Sequence, residues 1–386
     1  MADSVASTSA VPAAAISNGH ITEDEASLYD RQIRLWGLEA QNRMRSSTVL
    51  LLSLRSLAHE TIKNLVLAGI GRLIIMDDGV VTETDLGGGF LFREEDGAVG
   101  QERTAAAAPQ IQSLNPLVSL TALPTLAPFV RDPSSSGASV DQEEQMVEFL
   151  KREKVDVVVA CDMARSQSET IDQATRKAGT MFYSAGTYGF YGYVFADLGE
   201  EYQYLLTPPK SDSNPNPAPT KMVLRYPSLA QVADRSNWGL PSTQTASGGS
   251  PFRGLSRNQT KDRDPATALG LLAVQEYQRA HGVLPDGAEG QRDALSEIAD
   301  ELRKALGINE KVLPQVEQSM LDHLANHATH FFPPTLAVVG GLLAQDVLRA
   351  ISKKDTPTVN LLCVDSMAGV GAVSRWAMDA PKSASP

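Results

Sequence analysis

The chain has 386 residues, 42% hydrophobic and 21% charged, and its 34 Lys and Arg against 46 Asp and Glu give a formal net charge of −12. That is enough chain for two core-bearing units, or for one large α/β domain with an insertion. The acidic balance excludes unspecific grip on nucleic acid or an anionic membrane, since both need a surplus of cations.

Residues 1–26 are small and polar, with no basic residue before Arg31 and no sustained apolar run, so they read as a disordered leader and not as a targeting signal. Residues 48–52 (TVLLL) form a short apolar run, 60–67 follow with helical spacing closed by Gly69, and 73–76 run into Asp77 and Asp78. Strand, turn, helix and a strand ending in an acid make a βαβ unit, and strands apolar throughout belong inside a parallel sheet. Residues 155–160 form another buried strand ending at Cys161 and Asp162, with a helix at 168–177 and a later strand at 194–196. Residues 207–220 and 239–257 are Pro-, Ser- and Gly-rich loops, while 266–281 and 291–306 have helical spacing. A helix over 336–351 and a strand over 360–364 return to the α/β pattern, and the apolar run at 336–344 falls short of the ~20 residues of a membrane span. The expected fold is α/β, with a doubly wound, mostly parallel, Rossmann-like sheet. Residues 27–206 and 331–380 should build it, and 207–330 should be a mostly helical insertion.

A nucleotide fold of this kind places G-x-G-x-x-G after the first strand, because glycine permits the tight turn and lets backbone N–H groups touch phosphate. Here those positions hold Ser53, Leu54, Arg55, Ser56, Leu57 and Ala58. Asp77 keeps the place of the acid that would hold ribose hydroxyls. The frame survives while the cradle carries side chains, each of which meets a penalty at positive φ or occupies the place of a phosphate oxygen. On these residues alone, a plain connection in an unrelated doubly wound domain stays open.

Residues 29–37 read YDRQIRLWG, followed by LEAQ. With KNLVLAGIGRLIIMDD (63–78), LNP (114–116), YGFYGYVFADLGE (188–200), LGI…LP (306–314) and AVVGGLLAQDVLRAIS (337–352), this string resembles the non-cysteine subunits of heterodimeric activating enzymes for ubiquitin-like modifiers. Within that ThiF-like family, chain length and the 188–200 segment resemble the SUMO type more than the Nedd type.

The resemblance implies a degenerate adenylation fold and a role as one half of an ATP-dependent enzyme. Complete members hold ATP with a glycine loop, an acid, an S-N-L-N-R-Q segment, a lysine and a later Asp. Aligned through residues 90–92, Gly87 and Gly88 stand where the Asn and Arg of that segment belong, Arg103 replaces the lysine, and only Asp77 and Asp162 remain. Arg31 matches the position from which family members reach across the dimer to ATP in the other subunit. By the same resemblance, ATP and Mg are bound by the cysteine-bearing subunit, SUMO is the shared substrate, the SUMO-conjugating enzyme is an indirect partner, and the location is nuclear. From the residues alone, Arg31 could equally pair on its own helix beside Arg34, and the two acids could be strand-end hydrogen-bonding groups.

Neither cysteine is expected to act as a nucleophile, as both end buried strands. His323, His327 and His330 recur at i, i+4 and i+7, yet no carboxylate completes a metal set and prolines follow at once, so no metal is expected. Gly340 and Gly341 in an apolar helix suggest close helix packing. A nicotinamide oxidoreductase and a catalytically silent scaffold are the competing readings.

Overall fold

The computed structural model describes residues 27–130, 139–208, 217–239 and 249–383. The leader at 1–26 and much of the Pro-, Ser- and Gly-rich loops lie outside them. In chain order the elements begin with helix α1 (Asp30–Trp36), α2 (Leu38–Arg45), strand β1 (Thr48–Leu52), α3 (Ser56–Ala68), β2 (Arg72–Met76), α4 (Glu83–Gly88), α5 (Arg103–Leu114) and β3 (Ser119–Leu123). Next come α6 (Ser139–Arg152), β4 (Val157–Cys161), α7 (Arg165–Ala178), β5 (Met181–Tyr188), β6 (Tyr191–Asp197), β7 (Tyr202–Leu206) and β8 (Thr220–Leu224). Helices α8 (Leu229–Ala233), α9 (Arg257–Arg263), α10 (Pro265–His281), α11 (Gln291–Leu306), α12 (Gln318–His327) and α13 (Pro333–Ser352) precede β9 (Leu361–Asp365), β10 (Val370–Ser374) and β11 (Lys382–Ser383).

Eight strands form one sheet in the order β10-β9-β6-β5-β4-β1-β2-β3. The five from β3 to β5 are parallel, and the remaining pairs, β5 with β6, β6 with β9 and β9 with β10, are antiparallel. β1 pairs with both β2 and β4, so the chain reverses its direction of winding there, which is where open α/β sheets form a crevice beyond the strand ends. Both faces of β1 are buried: Leu50 and Leu52 join one apolar core, Val49 and Leu51 the other. That explains the unbroken TVLLL run, because a strand covered on two sides has no solvent face to alternate toward. Helices α10, α11 and α12 contribute Leu269, Val274, Leu295, Leu302 and Leu321 to the first core, while α3 and α13 build the second.

The segment at 194–196 is part of a longer element, since β5 and β6 form a hairpin of eight and seven residues. The glycines that interrupt its sequence pattern are there for close packing: a Cβ at Gly186 would collide with the Tyr193 ring, and one at Gly192 with Val339. Helix α13 has 20 residues at mean hydropathy 1.3, long and apolar enough in composition to cross a membrane, although the apolar run at 336–344 is short. Here it is a core helix: Leu336, Val339, Leu343 and Val347 are buried in the second core against α3.

Of the paired glycines in α13, Gly340 sits on α3, where an added Cβ would lie 2.6 Å from Glu60 Cβ and 3.2 Å from the Thr61 nitrogen, whereas Gly341 faces open space. Backbone-proximal atoms cannot swing aside. Gly340→Val should therefore destabilise by ~1–3 kcal/mol through overpacking. Gly341→Ala should be neutral or add ~0.5–1 kcal/mol from helix propensity. Urea midpoints of the two variants check the contrast, and equal midpoints would contradict it.

Candidate functional site

Beyond the C-terminal end of β1, the chain turns at Ser53 with φ of 69°, the left-handed conformation that glycine adopts without cost and serine adopts at ~1–2 kcal/mol. The turn is held from below. Ser53 N donates to Met76 O (3.0 Å), Leu54 N to Asp77 Oδ2 (2.6 Å), and the side chains of Leu54, Leu57 and Ala58 are fully buried in the second core.

Both carboxylate oxygens of Asp77 are engaged. Besides Leu54 N, it accepts from Gly79 N (2.7 Å) and from Arg103 Nη1 (3.5 Å). The other Arg103 nitrogen pairs with Asp85 Oδ2 at 3.0 Å, and the three side chains are 15%, 3% and 3% exposed. Asp85 in turn closes the N-terminus of α4, accepting from Thr82 N (2.9 Å) and Thr82 Oγ1 (2.8 Å). Burial raises the Asp85 pKa, but the Thr82 and Arg103 hydrogen bonds outweigh it and hold the carboxyl below its usual range. Arg103 is thus turned inward onto two carboxylates of its own chain.

The space over the first turn of α3 is also taken. Residues 87–92 lie across it. A Cβ at Gly88 would overlap Ser56 Oγ and crowd the Phe331 side chain, and one at Gly89 would overlap the His59 ring. His59 is fully buried between edge-on Phe90 and Phe92, and Leu91 N donates to its Nδ1 at 3.4 Å. Burial drives its pKa down to about 3, so it stays neutral. The Arg55 guanidinium lies over the Phe331 ring, 5.2 Å from its centre. An arginine side chain at position 88 has no room, whereas Gly87, in the place of the asparagine, faces open space.

Asp162, at the end of β4, stands across the same crevice with φ of 50°. Its Oδ1 accepts from Thr187 N (3.0 Å), while its buried Oδ2 has no hydrogen-bond partner among the described residues. Burial pushes its pKa up to about 6 against the opposing pull of the Thr187 N–H and nearby Arg55. Because the folded pKa lies above the ordinary 3.8, this group's stabilising contribution is complete below pH 4 and is lost as pH rises through about 6. Asp162→Asn should thus stabilise the fold by ~2 kcal/mol at pH 8. The gain should shrink to nothing near pH 4, and a pH-independent difference in unfolding free energy would contradict the assignment.

Ser53, Arg55, Ser56, Ala58, Asp77 and Asp162 are therefore gathered at one end of the sheet, but they do not fit a triphosphate. The turn carries side chains, Asp77 is engaged through both oxygens, Arg103 is committed and the chain itself covers the helix terminus. Arg31 is elsewhere. Helix α1 packs at the C-terminal end of α3, which at 13 residues spans ~20 Å. There Asn115 Nδ2 donates to Tyr29 Oη (2.7 Å) and to Val66 O (2.9 Å), and Gly69 leaves room for the Tyr29 ring that a Cβ would strike. Three of the sequence strings, YDRQIRLWG, AGIG and LNP, meet at this point. Arg34 pairs with Asp30 (2.9 Å), whereas Arg31 is exposed and has no hydrogen bond or ion pair among the described residues.

Both cysteines are buried. Burial raises the Cys161 thiol well above its usual range and Cys363 to about 12, so neither is a thiolate near neutrality. His323 Nε2 accepts from Phe190 N (3.0 Å) and its ring stacks on Phe190, and among the described residues no group of three His, Cys, Asp or Glu is placed to hold a metal. The Asp85 side of the lock had a sequence signal in Thr82-x-x-Asp85, a capping box. His59 had none.

A mostly parallel sheet with a nucleotide-type turn and crevice defines a Rossmann-like α/β protein, and the chain belongs to the ThiF family, whose sequence pattern matches residues 29–383. It is 30% identical over 370 residues to a Homo sapiens protein named SUMO-activating enzyme subunit 1, covering 92% of this chain and 96% of that one. The Rattus norvegicus protein of the same name is 31% identical over 374 residues (92% and 95%), and the Saccharomyces cerevisiae DNA damage tolerance protein RHC31 is 30% identical over 362 (90% and 95%). The solved structure of PaaA superposes with a TM-score of 0.52 at 12% identity, covering 95% of this chain and 78% of that one, a likeness of fold.

Proposed function

We propose that this chain is the non-cysteine subunit of a SUMO-activating enzyme, supporting ATP-dependent adenylation of the modifier at a nucleotide site carried by a cysteine-bearing partner. The observation that carries it is the separation of two features: the crevice is filled by Arg103, the 87–92 strap and Phe331, while Arg31, exposed and without a partner among the described residues, is presented ~20 Å away at the far end of α3. Relatives that align over nearly their whole length are named as subunit 1 of that enzyme.

In this reading Arg31 supplies a guanidinium to charge that develops on the phosphoryl group and departing pyrophosphate when the modifier's carboxylate attacks the α-phosphate. A planar fork of donors suits that task better than a point charge. Nothing in this chain's crevice takes part in the step, and neither cysteine carries the thioester. ATP and Mg would be held by the partner, because the cations and glycines that could neutralise a triphosphate are missing or committed here.

SUMO-dependent ATP–pyrophosphate exchange tests the reading. Exchange should be absent with this chain alone and strong with the reconstituted pair. Full exchange by the cysteine-bearing subunit without this chain would reduce the role to a scaffold.

A further inference from the structure

Helix α1 cannot hold its own direction. It has seven residues, none of them buried, and an isolated helix of that length is marginal in water. The place of the Arg31 guanidinium is therefore set from outside the helix. Three side-chain amides meet there, and all three act on the end of α3.

The last four carbonyls of an α-helix lack partners within it. At the end of α3 the chain turns through Gly69, whose N–H covers Leu65 O and Val66 O. Asn115 Nδ2, just past α5, adds a donor to Val66 O (2.9 Å), Gln32 Nε2 donates to Leu67 O (3.5 Å) and Gln41 Nε2 to Ala68 O (3.1 Å). Each amide also holds α1. Asn115 Nδ2 donates to Tyr29 Oη (2.7 Å), directly before the helix. Gln32 lies in its first turn, and Gln41 Oε1 accepts from Trp36 Nε1 (2.9 Å) at its last residue. The Gln32 bond is the longest of the set and is exposed, so the two end clamps carry the weight. Tyr29, Gln41 and Asn115 are buried, where water does not compete for their bonds, and Asn115 Oδ1 is fixed in turn by Leu117 N (3.1 Å).

We propose that Asn115 and Gln41 are positioning residues for the reaction: through Tyr29 and Trp36 they hold the axis of α1 and so the guanidinium of Arg31. The proposal rests on the reading of Arg31 given above. A long side chain on an unanchored helix sweeps a wide volume, whereas on a helix pinned at both ends it has only its own rotamers to search. The Tyr29–Asn115 clamp, two residues from Arg31, should matter most. Because neither amide touches nucleotide, its loss should appear in the rate of the chemical step and not in nucleotide affinity.

The full-length chain is assembled with a saturating amount of the cysteine-bearing subunit, and SUMO-dependent ATP–pyrophosphate exchange is measured against ATP concentration. Tyr29→Phe keeps the ring and loses the hydroxyl, so kcat should fall ~10-fold, the worth of one buried hydrogen bond, with KM for ATP within about twofold. Asn115→Leu removes both bonds and should cost ~10²-fold in kcat. In an Arg31→Ala background Tyr29→Phe should cost nothing further, because the group it orients is gone. Amide hydrogen exchange of the lone chain reads the clamp without the partner: Tyr29→Phe should speed exchange at Ile33 and Gly37 and leave α3 as in the parent. Effects of Tyr29→Phe and Arg31→Ala that multiply, or unchanged exchange at Ile33 and Gly37, would make the contact merely structural and overturn the proposal. Parental kcat in both clamp variants, with Arg31→Ala still inactive, would overturn it and leave the role of Arg31 standing. Parental kcat in Arg31→Ala would take both down.

Discussion

Arg31→Ala is expected to lower SUMO-dependent ATP–pyrophosphate exchange of the reconstituted pair by ~10³–10⁵-fold, by analogy with arginines delivered across an interface in other phosphoryl-transfer enzymes. The stability of the chain should stay within ~0.5 kcal/mol of the parent, because the side chain has no partner to lose among the described residues. That combination distinguishes a delivered group from a structural one. Arg34 is the internal comparison, one turn away and committed to Asp30. Arg34→Ala removes an exposed helix pair worth only a few tenths of a kcal/mol and should leave exchange within a few-fold. Arg31→Lys keeps the charge and loses the fork, so partial activity is expected. An Arg31→Ala pair with parental exchange would remove the reason for placing this residue in the chemistry.

Arg103→Leu should destabilise the chain by ~3–5 kcal/mol, the usual cost of breaking a buried ion pair from one side. The guanidinium is 15% exposed and faces two carboxylates, each 3% exposed. Its removal leaves Asp85 with only the Thr82 contacts and Asp77 with only backbone donors. The loss should be full from pH 8 down to about pH 4 and should shrink only as pH falls below 3.8, the ordinary value of the Asp85 carboxyl. The Asp85 carboxyl is held below its usual range in the parent, so the stabilisation it contributes is present above the unfolded pKa and disappears as pH falls through the folded one. Equal unfolding free energies for variant and parent across that range would show that Arg103 is a bystander.

Much of this was legible in the order of residues. The first βαβ unit follows from two apolar runs that leave no room for a polar face, and the absence of glycine after β1 is visible without coordinates. What the sequence left open was the destination of the remaining charges. Asp77 and Arg103 are 26 residues apart, and nothing in spacing shows that one saturates the other. Gly87 and Gly88 mark lost side chains in the sequence, but only the packing shows why Gly88 is glycine: with Gly89 it lets the strap lie on Ser56 and His59, whereas Gly87 faces open space. The pairing of Arg34 with Asp30, which leaves Arg31 without a partner among the described residues, is likewise a matter of rotamers. The β5–β6 hairpin extends well beyond the 194–196 run, because glycines that interrupt the apolar pattern are there to admit Tyr193 and Val339.

The most direct test of the central claim is a calorimetric titration of the isolated full-length chain with ATP and Mg. With the crevice occupied by Arg103, the 87–92 strap and Phe331, no saturable binding is expected up to millimolar nucleotide. A one-site isotherm with micromolar Kd, weakened by substitutions within residues 53–58, would contradict the account.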